Sequence, residues 1–118
     1  MIVGLGVDLV EVARIRLAMR EPRFLDRILT PAERVEALTP ERVAGRWAAK
    51  EAVAKAVGVF LRWHEVEIRN LESGRPVAII SCPGSSLAGR TLHISISHVK
   101  GHAVAVAVLE SIDLSDQA

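Results

Sequence analysis

Two hydrophobic periods divide the chain. From residue 2 to residue 10 the spacing is two. Val3, Leu5, Val7 and Leu9 point one way, and Ile2, Gly4, Gly6, Asp8 and Val10 the other, which predicts a strand. The Val/Leu side reads as its core face. The other side carries two glycines and then an acid. Glycine inside a strand weakens it and marks close approach of another backbone or a ligand. From about Val10 to Met19 the spacing becomes helical, and Pro22 interrupts it. Phe24 to Leu29 predicts a short helical turn. Thr30-Pro31-Ala32-Glu33 is a capping box with proline at the first helical position, opening a helix to about Leu38. Thr39-Pro40 opens the longest helix, rich in Ala, Lys, Glu and Arg and closed by Gly58. Val43, Trp47, Ala48 and Ala52 recur along it at three- and four-residue steps, predicting a buried stripe whose small residues admit a close neighbour.

The second half returns to strands. Val59 to His64 is an apolar connector, Glu65 to Asn70 alternates as a half-exposed strand, and Ser73-Gly74-Arg75-Pro76 is a turn. Val77 to Cys82 reads as a buried strand, and Pro83 to Gly89 as a Gly/Ser/Pro-rich loop. Thr91 to Val99 alternates Leu92, Ile94 and Ile96 against His93, Ser95 and Ser97. Lys100-Gly101 is a tight hairpin turn. His102 to Leu109 alternates Val and Ala, apolar on both faces, and so belongs at the centre of a sheet or at a subunit contact. One strand, then helices, then four strands predicts an α+β fold, with a mainly antiparallel sheet and helices on one face.

Composition narrows the picture. The 118 residues suit a single domain spanning 1–118, with 111–118 as a polar tail. Half the residues are hydrophobic and only 3% aromatic, with a mean hydropathy of +0.29. That is more apolar surface than one small core hides, which points to an oligomer. A net charge of +1 argues against general nucleic-acid binding. The single cysteine, Cys82, excludes an internal disulfide and suits a reducing cytoplasm. No basic n-region precedes the apolar start, and no apolar run is long enough to span a membrane.

Several residues have chemistry without a settled role. Asp8 is either a strand-end acid held by backbone amides or a metal-binding carboxylate on a glycine-cleared face. Glu51 and Lys55 lie one turn apart, with Lys50 and Arg46 nearby. They are either a solvated face with an i,i+4 ion pair or a metal carboxylate with a phosphate-binding rim. Arg14, Arg16, Arg20, Arg23 and Arg27, interleaved with Met19 and Phe24, are either an ordinary helix surface or a docking face for an acidic partner. Zinc-type Cys/His spacing, the P-loop and the hydrolase and metalloprotease motifs are absent. Gly4-Leu5-Gly6 lacks the third glycine of a dinucleotide fingerprint.

Taken together, Gly4-Leu5-Gly6-Val7-Asp8 with Arg14-Ile15, Trp47-Ala48-Ala49-Lys50-Glu51-Ala52 with Lys55-Ala56 and Gly58, Gly74-Arg75-Pro76, and Ser95-Ile96-Ser97-His98 with Ala103 and Ala105 resemble the small 4′-phosphopantetheinyl transferases of the holo-acyl-carrier-protein synthase type. The resemblance runs in order over nearly the whole chain. Trp47 stands where phenylalanine is usual, Arg75 where lysine is commoner, and the stretch from Pro83 to Gly89 is shorter than the family's helix there. The resemblance implies transfer of the phosphopantetheine arm of coenzyme A to a serine of apo acyl carrier protein, releasing adenosine 3′,5′-bisphosphate. It implies Mg²⁺ and a homotrimer with active sites at subunit contacts. It also implies roles for residues. Asp8 and Glu51 would hold the metal, and Glu51, directly or through a water it orients, would be the base. Lys55 would neutralise the departing phosphate. Arg46 and His98, with Ser97 beside it, would contact the 3′-phosphate or pyrophosphate of coenzyme A. Gly58, Gly74 and Pro76 would shape the nucleotide cleft. Arg14, Met19, Arg20, Arg23 and Phe24 would dock the carrier protein. The rival from another class is a non-catalytic, oligomeric nucleotide-binding module.

Overall fold

The N-terminal alternation does form a strand, with its glycine side turned inward. A computed structural model describes residues 1–37, 39–81 and 87–112. Strand β1 (Ile2–Glu11) leads into helix α1 (Val12–Ala18), followed by α2 (Phe24–Ile28), α3 (Pro31–Glu36) and the long α4 (Pro40–Val57). A 3₁₀ turn (Trp63–Glu65) precedes β2 (Val66–Asn70), β3 (Pro76–Ile80), β4 (Arg90–His98) and β5 (His102–Ser111). β1, β5 and β4 form one antiparallel sheet in that order, and β2 and β3 a separate antiparallel ribbon. The α+β architecture matches the sequence reading, and β5 is the central strand it was expected to be.

Helix α4 lies across β1 and β5. Its caps follow the sequence: the Thr39 hydroxyl accepts from Arg42 N–H, Pro40 takes the first turn, and Gly58 closes the helix at φ 81°. Only glycine holds that left-handed conformation without cost. Contact with the sheet is nearly backbone to backbone. A Cβ on Gly4 would run into the carbonyl of Ala56, and one on Gly6 into that of Ala52. Ala103, Ala105 and Ala107 of β5 and Ala44, Ala48, Ala52 and Ala56 of α4 supply the rest of the seam, all buried.

This seam reverses one expectation. Leu5, Val7 and Leu9 are not core: they stand 65%, 55% and 67% exposed. Apolarity alone named the wrong face, because the helix needs the side with no side chains. On the same outer face β5 presents Val104, Val106 and Val108, aligned with Leu9, Val7 and Leu5. Other differences are smaller. Val10 and Glu11 belong to β1, so α1 starts at Val12. β3 is only half buried, with Ile79 exposed. The expected end of α3 at Leu38, most of the loop from Pro83 to Gly89, Cys82, and the tail beyond Ile112 lie outside the described residues.

The second departure is Lys50. It does not belong to a solvated face: it is 3% exposed, and Glu33 is fully buried. The Lys50 ammonium donates to Glu33 Oε1 at 2.6 Å, to the Ile28 carbonyl at 2.7 Å and to the Trp63 carbonyl at 2.8 Å. The Glu33 carboxylate also accepts from the backbone N–H groups of Thr30, at 2.8 Å, and Ile68, at 2.9 Å. Burial pushes the Lys50 ammonium below its ordinary value, against the pull of Glu33. The pair survives in the interior because every donor of the ammonium is satisfied. Lys50→Met should strand the Glu33 charge and lower the unfolding free energy by about 3–5 kcal/mol. Urea denaturation measures this, and a loss below about 1 kcal/mol would show the pair to be energetically idle.

Candidate functional site

Strand and helix stay in step along the seam. Two residues of strand advance about 6.6–6.8 Å, and four residues of helix about 6.0 Å. Gly4 meets Ala56 and Gly6 meets Ala52, so the next inward residue, Asp8, comes level with Ala48 and Glu51. Asp8 and Glu51 accordingly border one cavity of about 310 Å³. Its other walls are apolar, from Leu9, Ile15, Phe24 and Trp47, with Arg14 at its edge. Lys55 does not pair with Glu51 along the helix. Its ammonium crosses to β1, donating to the Val7 carbonyl at 3.0 Å and to Asp8 Oδ1 at 3.4 Å. The strand acid therefore faces a cation, and the helix acid stands half-buried one turn away.

A second cavity, of about 240 Å³, lies beside the N-terminal turns of α4. Arg46, Gly74, Pro76 and His98 all line it, joined by Arg42. Sequence reasoning passed over Arg42, although its spacing of one helical turn from Arg46 puts both on one face. Arg46 is 5% exposed. Its Nη2 donates to Glu36 Oε2 at 2.9 Å, while its buried Nε–H has no hydrogen-bond partner among the described residues. Glu41 also borders this cavity, and Arg16 pairs with it at 3.3 Å.

The two cavities share no lining residue, but a third borders on each. It lies at the hairpin end of the sheet, has His98 in common with the basic cavity and Leu9 in common with the carboxylate cavity, and includes Ser97. Ser97, Val104 and Leu9 form one row across the outer face. Gly58 lies apart from all three. Of the arginine-rich segment, Arg14 and the buried Phe24 face the carboxylate cavity, Met19 is half-buried, and Arg20 and Arg23 are exposed. Phe24 stacks on Trp47 at 5.9 Å between ring centroids, and Trp47 on Trp63 at 4.4 Å.

Two carboxylates in an open cavity suit a hard divalent cation that completes its shell with substrate oxygens and water. Among the described residues, no group of three or more His, Cys, Asp or Glu side chains could hold a metal ion by itself. No helix among them is long and apolar enough to cross a membrane.

The chain is similar over most of its length to known proteins. The chain is 43% identical to a holo-[acyl-carrier-protein] synthase of Shouchella clausii, over 94% of the chain and the whole of that relative. It is 42% identical to the corresponding protein of Anoxybacillus flavithermus, over 95% and 98% of the two chains. A crystal structure of a holo-(acyl-carrier-protein) synthase from Bacillus anthracis in complex with CoA (3′,5′-ADP) matches with a TM-score of 0.82 and 43% identity, over 94% of this chain and 98% of that one. The Helicobacter pylori holo-[acyl-carrier-protein] synthase in complex with coenzyme A matches at 0.80 and 31%, over 90% and 99%. The family model of the 4′-phosphopantetheinyl transferase superfamily matches residues 4–107, a span that begins at the first seam glycine and takes in both acids and both cavities, and to that superfamily the chain belongs.

Proposed function

We propose that the chain transfers the 4′-phosphopantetheine arm of coenzyme A to a serine hydroxyl of apo acyl carrier protein. The serine oxygen bonds to the β-phosphorus of the diphosphate. The bond from that phosphorus to the bridging oxygen breaks, and adenosine 3′,5′-bisphosphate leaves with the electron pair. The observation that carries the reading is the meeting of a strand-borne and a helix-borne carboxylate at one cavity, beside a lysine. The full-length similarity to holo-[acyl-carrier-protein] synthases supports it.

Asp8 and Glu51 fit a bound Mg²⁺, which supplies charge neutralisation at the diphosphate oxygens. Glu51 takes the serine proton as general base. Lys55 lies within reach of Asp8 and can shift to the leaving phosphate as charge builds there. Arg46 and His98, with Gly74 and Pro76 shaping the wall, hold the 3′-phosphate end of the nucleotide. Arg14, Met19, Arg20, Arg23 and Phe24 receive an acidic carrier helix at the mouth of the carboxylate cavity. Such a protein works in the cytoplasm, where coenzyme A and carrier proteins meet.

The outer sheet face supports association of copies of the chain, which the family resemblance makes a homotrimer. Leu5, Val7 and Leu9 with Val104 and Val106 form an apolar strip too continuous for an ordinary monomer surface. The cavity that borders on the other two opens on that strip, so a subunit contact there borders the active site.

Three outcomes are expected. Glu51→Ala should abolish the mass gain of one phosphopantetheine arm on apo carrier protein while leaving the circular dichroism spectrum unchanged; a variant that still transfers refutes the assignment. Arg14→Glu should raise the KM for carrier protein and leave that for coenzyme A unchanged; equal effects on both would remove Arg14 from the docking surface. Val7→Asp should shift the protein to monomer in light scattering and lower activity with it, whereas a monomeric parent protein would overturn the trimer.

A further inference from the structure

Glu36 is the last residue of α3 and does not border the basic cavity, yet two arginines that do are anchored on it. Its Oε2 accepts from Arg46 Nη2 at 2.9 Å. Its backbone carbonyl accepts from Arg42 Nη1 at 3.4 Å. Its Oε1 accepts from Arg69 Nη2 at 3.3 Å, and Arg69 also approaches Glu67 at 3.7 Å. One residue thus ties α3, α4 and β2 together behind the cavity wall.

We propose that Glu36 is a positioning residue for the 3′-phosphate of the donor, acting through Arg46 and Arg42. The inference rests on the reading above, in which Arg46 faces that phosphate. Arginine carries a long side chain with many rotamers, and an anion site built on it binds more tightly when the fork is held before the ligand arrives. Arg46 is buried, and its Nε–H is orphaned among the described residues. The hydrogen bond that holds its guanidinium is the one from Nη2 to the Glu36 carboxylate. Glu36 does not cancel the site. Arg69 shares the carboxylate, and Arg42 takes the carbonyl rather than the charge, so the cluster stays net positive toward the cavity. The other acid at the rim, Glu41, is engaged by Arg16. The carboxylate thus orients the cations and leaves them able to bind.

The test compares two donors, coenzyme A and 3′-dephospho-coenzyme A, by steady-state transfer to apo carrier protein. Glu36→Gln keeps the size but cannot offer two equivalent oxygens. It should raise the KM for coenzyme A about tenfold with kcat within about twofold, and leave the KM for the dephospho donor where it was. The preference for the 3′-phosphate then collapses. Equal shifts with both donors, or none with either, would overturn the proposal, since a merely structural residue does not distinguish them. Should Glu36→Gln fail to fold, Arg69→Met removes half of the anchor from the far side, and should reduce the same preference in the same direction; an unchanged preference there overturns the proposal as well. Arg46→Ala separates the two levels. If it leaves the preference intact, the placement of the phosphate against Arg46 is wrong. If it collapses the preference and Glu36→Gln does not, only the role of Glu36 falls.

Discussion

The contact on which the rest depends is the near backbone-to-backbone approach of β1 to α4, which exists because Gly4 and Gly6 have no Cβ. Side chains on both elements would separate them, and an acid on each would then face different solvent. With them removed, the in-step rise of strand and helix brings Asp8 alongside the turn that carries Glu51. The same contact decides what the other side of β1 does. With its glycines spent on the helix, its apolar residues point outward, next to those of β5. The face that carries Asp8 and the exposed apolar face are then two sides of one strand, and a change that moves β1 moves both.

The buried Lys50–Glu33 pair solves a different problem. The helices after β1 are short, of seven, five and six residues, and hold no large core of their own. Lys50 binds the end of α2, the start of α3 and the connector after α4 in one ammonium. Glu33 reaches the middle of β2 through Ile68 N–H. The aromatic stack of Phe24, Trp47 and Trp63 runs alongside. The segment from α2 into α3 and the connector are thereby fixed to the helix that carries Glu51, with a lysine one residue before it as the peg.

Much of this was legible in the sequence. Caps, turns and element order followed local rules, since Thr30-Pro31, Thr39-Pro40, Gly58 and Lys100-Gly101 act within a few residues of themselves. What was misread depended on tertiary partners. Leu5, Val7 and Leu9 look like core to any rule that counts apolar side chains, and only the helix carbonyls show why the glycine side wins. Lys50 looks like one more cation on a charged face until Glu33, seventeen positions earlier, is found beside it. Lys55 has an ideal partner one turn away in Glu51 and pairs instead with a residue forty-seven positions back. Glu36 and Arg42 carry no motif at all; their meaning lies in which side chains they hold.

The separation of the two charged cavities is itself a physical requirement. A donor with a phosphate at one end and a diphosphate further along cannot be gripped by one cluster of cations without bending onto itself. Cations at Arg42, Arg46 and His98 would pull the diphosphate away from the acids if they lay beside Asp8 and Glu51. Arg42 and Arg46 lie in the first half of the eighteen-residue helix, and Glu51 follows Arg46 by five residues, about 7.5 Å of rise at 1.5 Å per residue, so on the proposed reading the nucleotide end is held a short way from the charges that meet the reacting end. On that reading the donor passes the hairpin end of the sheet, where a third cavity shares His98 with the basic cavity and Leu9 with the carboxylate cavity. That end is bordered by the apolar strip. On the proposed reading a second copy seated on the strip would close the groove from above, and association of chains and binding of the donor would then favour one another.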